Sequence, residues 1–79
     1  MEDTTVAVFL LNTGQYLIGK YQELDMEPKI YLSDCHQIVD GEFETFPKHM
    51  SENSCLLNTN LVLTIGEPSS EILKKYSNL

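Results

Sequence analysis

The sequence predicts a small, strongly bent all-β fold: an open barrel of five strands finished by a short C-terminal helix. Three observations carry that prediction. Gly14 and Gly19 sit five residues apart inside an alternating apolar run, with Asp25 six residues further on; this reads as strand, turn, bend and strand. Leu57 to Ile65 reads as two short strands joined by the polar corner Asn58-Thr59-Asn60, the closing pair of such a barrel. Pro68, with Glu71 early and Lys74 and Lys75 late, marks a helix over about 68–78, because proline suits a first helical turn and the charges oppose the helix dipole.

Val6 to Leu11 is apolar on both faces, as expected of a strand covered on both sides. Asn12-Thr13-Gly14 is a turn. Tyr16 to Tyr21 forms the second strand, and Gly19 within it permits a sharp bend or a close backbone approach. Glu23 to Pro28 is a polar connection. Lys29 to Ile38 forms a long third strand, with Ile30 and Leu32 on one face and Tyr31 on the other. Asp40-Gly41 is a hairpin signal. It feeds Glu42 to Phe46, which Pro47 to Asn53 interrupts or ends. Ser54 to Leu57 and Leu61 to Ile65 flank the polar corner. In the helix, Ile72, Tyr76 and Leu79 share a face that should dock on the barrel. The expectation is one domain over 1–79, with its strands within 5–66.

At 79 residues a single core is marginal, and association often supplies the missing burial. Apolar content of 42% argues for a folded chain. No stretch approaches the roughly 18 apolar residues of a membrane span. Met1 to Thr5 lacks the basic start of a secretion signal, so a cytoplasm is the expected compartment. Net charge is −7, and the five basic residues are Lys20, Lys29, Lys48, Lys74 and Lys75, with no arginine. This balance counts against strong, nonspecific polyanion binding. Cys35 and Cys55 are too few and too isolated for a disulfide framework or a CxxC site. With His36 and His49 they match no zinc spacing, and they read as buried thiols and surface imidazoles. Cys35 and His36 point to opposite faces of a strand, which is poor geometry for a dyad. No Gly-rich phosphate loop, acid–base pair or nucleophile is recognisable, so no enzyme and no cofactor is expected.

The residues Leu11-Asn12-Thr13-Gly14, Gly19 and Asp25 resemble the first signature of the Sm/LSm family. Leu57-Asn58-Thr59-Asn60, followed by Leu61 to Ile65, is similar to the second, usually Ile-Arg-Gly-Asn and an apolar strand. The two motifs cover roughly half of the chain, and its whole length looks most like the Sm-like proteins of marine cyanophage and ocean-metagenome origin. The resemblance implies a homo-oligomeric ring of about five to seven subunits, closed head to tail. In that family the fourth strand of one subunit pairs with the fifth of its neighbour, and single-stranded, often uridine-rich, RNA binds at the pore.

Carried over by position, Asp25 matches the aspartate that orients the first loop, and Lys29 stands where the family reads a base with asparagine. Asn58 replaces the family arginine, Thr59 the glycine, and Glu27 the aromatic that stacks on the base. Fold resemblance survives these departures; uridine specificity does not follow. The helix also lies at the C-terminus, where the family usually has it at the N-terminus. Each residue has a plainer reading: Asp25 as a cap on its own loop, Lys29 and Asn58 as solvated loop residues, and the strand aromatics as core. The expected function is binding of single-stranded RNA or DNA through Asp25, Lys29, Asn58 and Thr59. The alternative is a ring-forming protein scaffold that has lost nucleotide binding. An OB barrel is also five-stranded and binds single strands, but it predicts neither a tight corner at Asn58 to Asn60 nor an obligate ring.

Overall fold

The computed structural model describes residues 5–79; Met1 to Thr4, part of the stretch read for a secretion signal, lie outside them. The strands are β1 (Thr5–Leu11), β2 (Tyr16–Glu23), β3 (Ile30–Val39), β4 (Glu42–Thr45), β5 (Cys55–Leu57) and β6 (Val62–Gly66), followed by the helix α1 (Ser70–Ser77). All pairings are antiparallel, in the order β4-β3-β2-β1-β6, with β5 also on β3. The result is a single bent, barrel-like sheet with a short C-terminal helix.

Six strands stand where five were expected, because the fourth is present in two pieces. β4 pairs with the His36–Val39 end of β3, and β5 with its Ile30–Leu32 end. Residues 46–54 leave the sheet between them. Pro47 has no N–H to give a ladder, and His49 takes φ 68°, outside strand geometry.

The bend comes from a mismatch between β2 and β3. Ile18 faces His36 and Lys20 faces Ser33, so β3 uses one more residue than β2 across that step. This is a β-bulge, which kinks a strand and increases its twist. Asp34 sits in it at φ 49°. Gly19 lies opposite, where an added Cβ would come 3.2 Å from the Ser33 carbonyl oxygen and 3.3 Å from the Leu32 Cβ. Of the two uses expected of this glycine, a sharp bend or a close backbone approach, the close approach is thus seen directly, beside the bulge that bends the sheet.

Phe9, Leu17, Leu32 and Cys35 are fully buried on the concave face, joined by Ala7, Leu11, Ile30 and Leu57. Tyr21 packs edge-on against Phe9, with ring centroids 5.3 Å apart. Ile18 follows Leu17 in an extended strand and so faces the other side, yet it too is fully buried. The expectation of a strand covered on both faces was made for β1, whose other face carries half-buried Val6, Val8 and Leu10, and the same is true of β2.

The helix lies on that second side. Ser69 caps it by accepting a hydrogen bond from the Ile72 N–H at 3.2 Å. Pro68 thus precedes the cap rather than lying in the first turn. Tyr76 is buried, its ring 6.2 Å from Phe43 and 6.1 Å from His36. Its hydroxyl donates to the Asp34 carbonyl oxygen at 2.7 Å, so α1 is tied to the bulge. The Lys75 ammonium donates to the Gly41 carbonyl oxygen at 3.3 Å, reaching the β3–β4 turn. That turn has Asp40 and Gly41 both at positive φ, 53° and 79°, the conformation a two-residue hairpin prefers. Leu79 departs from the docking expectation and is 67% exposed. The helix ends at Ser77, so Leu79 leaves the helical phase that would have put it beside Tyr76. No helix among the described residues is long and apolar enough to cross a membrane.

Candidate nucleic-acid interface

Two connections meet at one end of the sheet. β2 finishes with Glu23 opposite Ile30, and Ile30 is opposite Leu57 on its other side. Continuing that register sets Lys29, just before β3, next to Asn58, just after β5. The 24–29 connection is closed by the Leu24 N–H donating to the Lys29 carbonyl oxygen at 2.7 Å. The Asp25 carboxylate is not the group that closes it.

The second connection is a single 3₁₀ turn, Thr59–Leu61, with Asn58 at its start. The Leu61 N–H donates to the Asn58 carbonyl oxygen at 3.1 Å. Two bonds from Asn12 hold this corner to the β1–β2 turn: its N–H donates to the Leu61 carbonyl oxygen at 2.8 Å, and its side-chain amide to that of Asn60 at 3.4 Å. The Asn58 side chain makes no capping bond, which leaves its amide available. Asp25, Lys29, Asn58 and Thr59 are all exposed. The fold thus brings the two short, hydrogen-bonded connections to the same end of the sheet, Lys29 and Asp25 on one and Asn58 and Thr59 on the other. Glu23, Asp25 and Glu27 share this short exposed stretch with Lys29. The offered chemistry is one ammonium, one amide and one hydroxyl per chain, without the planar fork that grips phosphate bidentately.

Grooves occur elsewhere. One of about 560 Å³ is lined by Val6, Lys20, Asp34, His36, Tyr76 and neighbouring helix residues. Its floor is the bulge, where Lys20 and Asp34 form an ion pair of 2.8 Å and His36 Nδ1 lies 3.3 Å from the Asp34 carbonyl oxygen. Burial, with the Asp34 charge adding to it, pushes the Tyr76 hydroxyl up to about 12. Sequence reasoning did not single out Lys20, Asp34 or His36 together, since only the bulge register assembles them.

Two further features emerged only with the fold. Among the described residues β6 is paired on β1 alone, and its Leu63 and Ile65 are 66% and 44% exposed. An apolar strand with an open edge is a template for pairing with another chain. The cysteines, read as isolated, are neighbours: Cys35 on β3 and Cys55 on β5 bring their sulfurs to 3.9 Å. Twenty residues separate them in sequence, and no spacing signal could have joined them before β5 was known to pair with β3.

No curated protein gives a significant match to the chain. A family model, described as a family of unknown function (DUF6561), matches residues 4–79, nearly the whole length, and the chain belongs to that family.

Proposed function

We propose that this protein is an Sm-like, ring-forming protein that binds single-stranded RNA or DNA at its 24–29 and 58–61 connections and serves nucleic-acid processing. The observation that carries the reading is the β3–β5 register, which brings Lys29 and Asn58, two positions matched by resemblance to the Sm/LSm binding loops, to the same end of the sheet. In a head-to-tail ring every subunit would present this pair around the pore. A strand threading it would meet an amide and a hydroxyl suited to base edges, and one ammonium suited to a phosphate or a carbonyl oxygen. Ring closure is supported by the open apolar edge of β6 and by the outer edge of the split β4/β5 strand, two different edges that a neighbour's copy can join. The cytoplasm, the host's for a phage-encoded chain, is the compartment this reading implies.

A second reading, a ring-forming protein scaffold, is favoured by the net charge of −7 and by the three carboxylates, Glu23, Asp25 and Glu27, in the same stretch as Lys29. Native mass spectrometry with and without a short oligouridylate separates the two. A discrete ring that takes up the oligonucleotide, and loses it in a Lys29→Glu, Asn58→Ala double variant, supports the binder. A ring that stays empty leaves the scaffold; a monomer removes both. Equal uptake by the double variant would show that the site lies elsewhere.

A further inference from the structure

The edge strand β5 is only three residues long, and its first residue, Cys55, is paired with Leu32. The chain is already tied to β3 just before it, because the Cys35 N–H donates to the Asn53 carbonyl oxygen at 2.7 Å. Between these anchors the two thiols touch across 3.9 Å, both free. Cys35 is completely buried in the concave core, while Cys55 packs against that core from its margin and keeps some exposure. Sulfurs in contact on adjacent strands need mainly side-chain rotation to reach bonding distance. We propose that Cys35 and Cys55 are a reversible redox pair, which oxidises to an intramolecular disulfide stapling β5 to β3 and fixing the base of the 46–54 segment.

The unequal burial assigns the roles. The Cys55 thiol is lowered by its hydrogen bond with Cys35, although burial opposes this. The Cys35 thiol is held up by the same hydrogen bond, by burial and by the Cys55 charge. Cys55 is therefore the thiolate that meets a small oxidant. With hydrogen peroxide it takes one oxygen to become a sulfenic acid, and hydroxide leaves. Its negative charge is then gone, which relieves the two effects of Cys55 that kept Cys35 protonated. Cys35 loses its proton, its sulfur attacks the sulfenic sulfur, the S–S bond forms, and water departs. A dithiol reductant reverses the step by exchange.

The test uses the full chain, treated with dilute hydrogen peroxide, unfolded with a thiol-blocking reagent and digested with trypsin. Cleavage after Lys29, Lys48 and Lys74 separates the cysteines into peptides 30–48 and 49–74. The expected product is these two peptides covalently joined, in a protein that stays at single-chain mass, is lighter by two hydrogens and returns to two thiols with dithiothreitol. Cys55→Ser should abolish the joined peptide, and the oxidised parent should melt at a higher temperature than the reduced one. Two blocked thiols after oxidation, a stable sulfinic acid on Cys55, or disulfide-linked dimers would each overturn the proposal. Peptide mapping of the parent makes the result independent of how any variant folds.

Discussion

The eight-residue helix α1 is too short to hold its own conformation in water, so its helicity depends on what Tyr76 does. Tyr76 is the buried residue of that helix, 8% exposed, and its hydroxyl holds the Asp34 carbonyl oxygen at 2.7 Å. Two variants separate ring from hydroxyl. Tyr76→Phe keeps the ring and removes one hydrogen bond, a loss of about 1 kcal/mol. The Asp34 carbonyl still has His36 Nδ1 at 3.3 Å, which sets the cost at the low end. Tyr76→Ala also removes the ring that packs against Phe43 and His36, adding about 3 kcal/mol. For a domain of this size each kcal/mol moves the melting temperature by roughly 4–8 °C. The expected fall is therefore about 4 °C for the phenylalanine variant and at least roughly 16 °C for the alanine variant, which loses about 4 kcal/mol in all. Circular dichroism should also show loss of the helical signal in the alanine variant before the sheet melts. An alanine variant that melts within about 2 °C of the parent, with its helical signal intact, would refute the claim that Tyr76 docks the helix.

Tyr76 also gives the protein a pH limit on the alkaline side. Its folded value, pushed up to about 12, lies above the ordinary 10, so the unfolded chain loses this proton first and stability falls as pH rises from 10 towards 12. Denaturant titrations should show a decline of about 1–2 kcal/mol over that window, absent in Tyr76→Phe. Gly19→Ala should cost about 1–3 kcal/mol in the same titration, because its Cβ would press on Ser33 and Leu32 backbone-side atoms that cannot swing away; an unchanged midpoint would mean the bulge relaxes freely. Leu63→Lys should leave the monomer's stability within about 0.5 kcal/mol, since the side chain is 66% exposed there. It should shift native mass spectra from rings to single chains, and persistence of the parent's assembly would remove β6 from the interface.

Features fixed by local chemistry were legible in the sequence. The Asp40-Gly41 turn and the polar corner at Asn58 to Asn60 depend on residues within a few positions of each other, and Gly19 showed as a glycine inside a strand although its close neighbours, Ser33 and Leu32, lie on β3. The extent of the strands, from Thr5 to Gly66, followed from alternation. Features fixed by register were not legible. Splitting of the fourth strand was foreseen only as an interruption or an end at Pro47, because nothing in Ser54 to Leu57 says that it returns to the same partner strand. The Cys35–Cys55 contact and the Lys20–Asp34–Tyr76 cluster depend on a one-residue bulge. Lys29 and Asn58 were proposed from resemblance, and their adjacency came only from the Ile30–Leu57 pair.

Charge decides how a single strand could bind at that end of the sheet. Each chain brings one lysine, Lys29, against Glu23, Asp25 and Glu27 in the same short stretch. A site gripping the phosphate chain would release counterions in proportion to the phosphates neutralised, with a log–log salt slope of about −0.7 per contact for single strands. One lysine allows at most one such contact per subunit, and the neighbouring carboxylates oppose even that. Affinity must then come from contacts to base edges by Asn58 and Thr59, which release no counterions. Oligouridylate binding, measured by fluorescence anisotropy across a salt series, should therefore give a slope no steeper than about −0.7 per subunit. A slope several times steeper would mean that Lys20, Lys48, Lys74 or Lys75 holds the backbone, and would move the site away from the 24–29 and 58–61 connections.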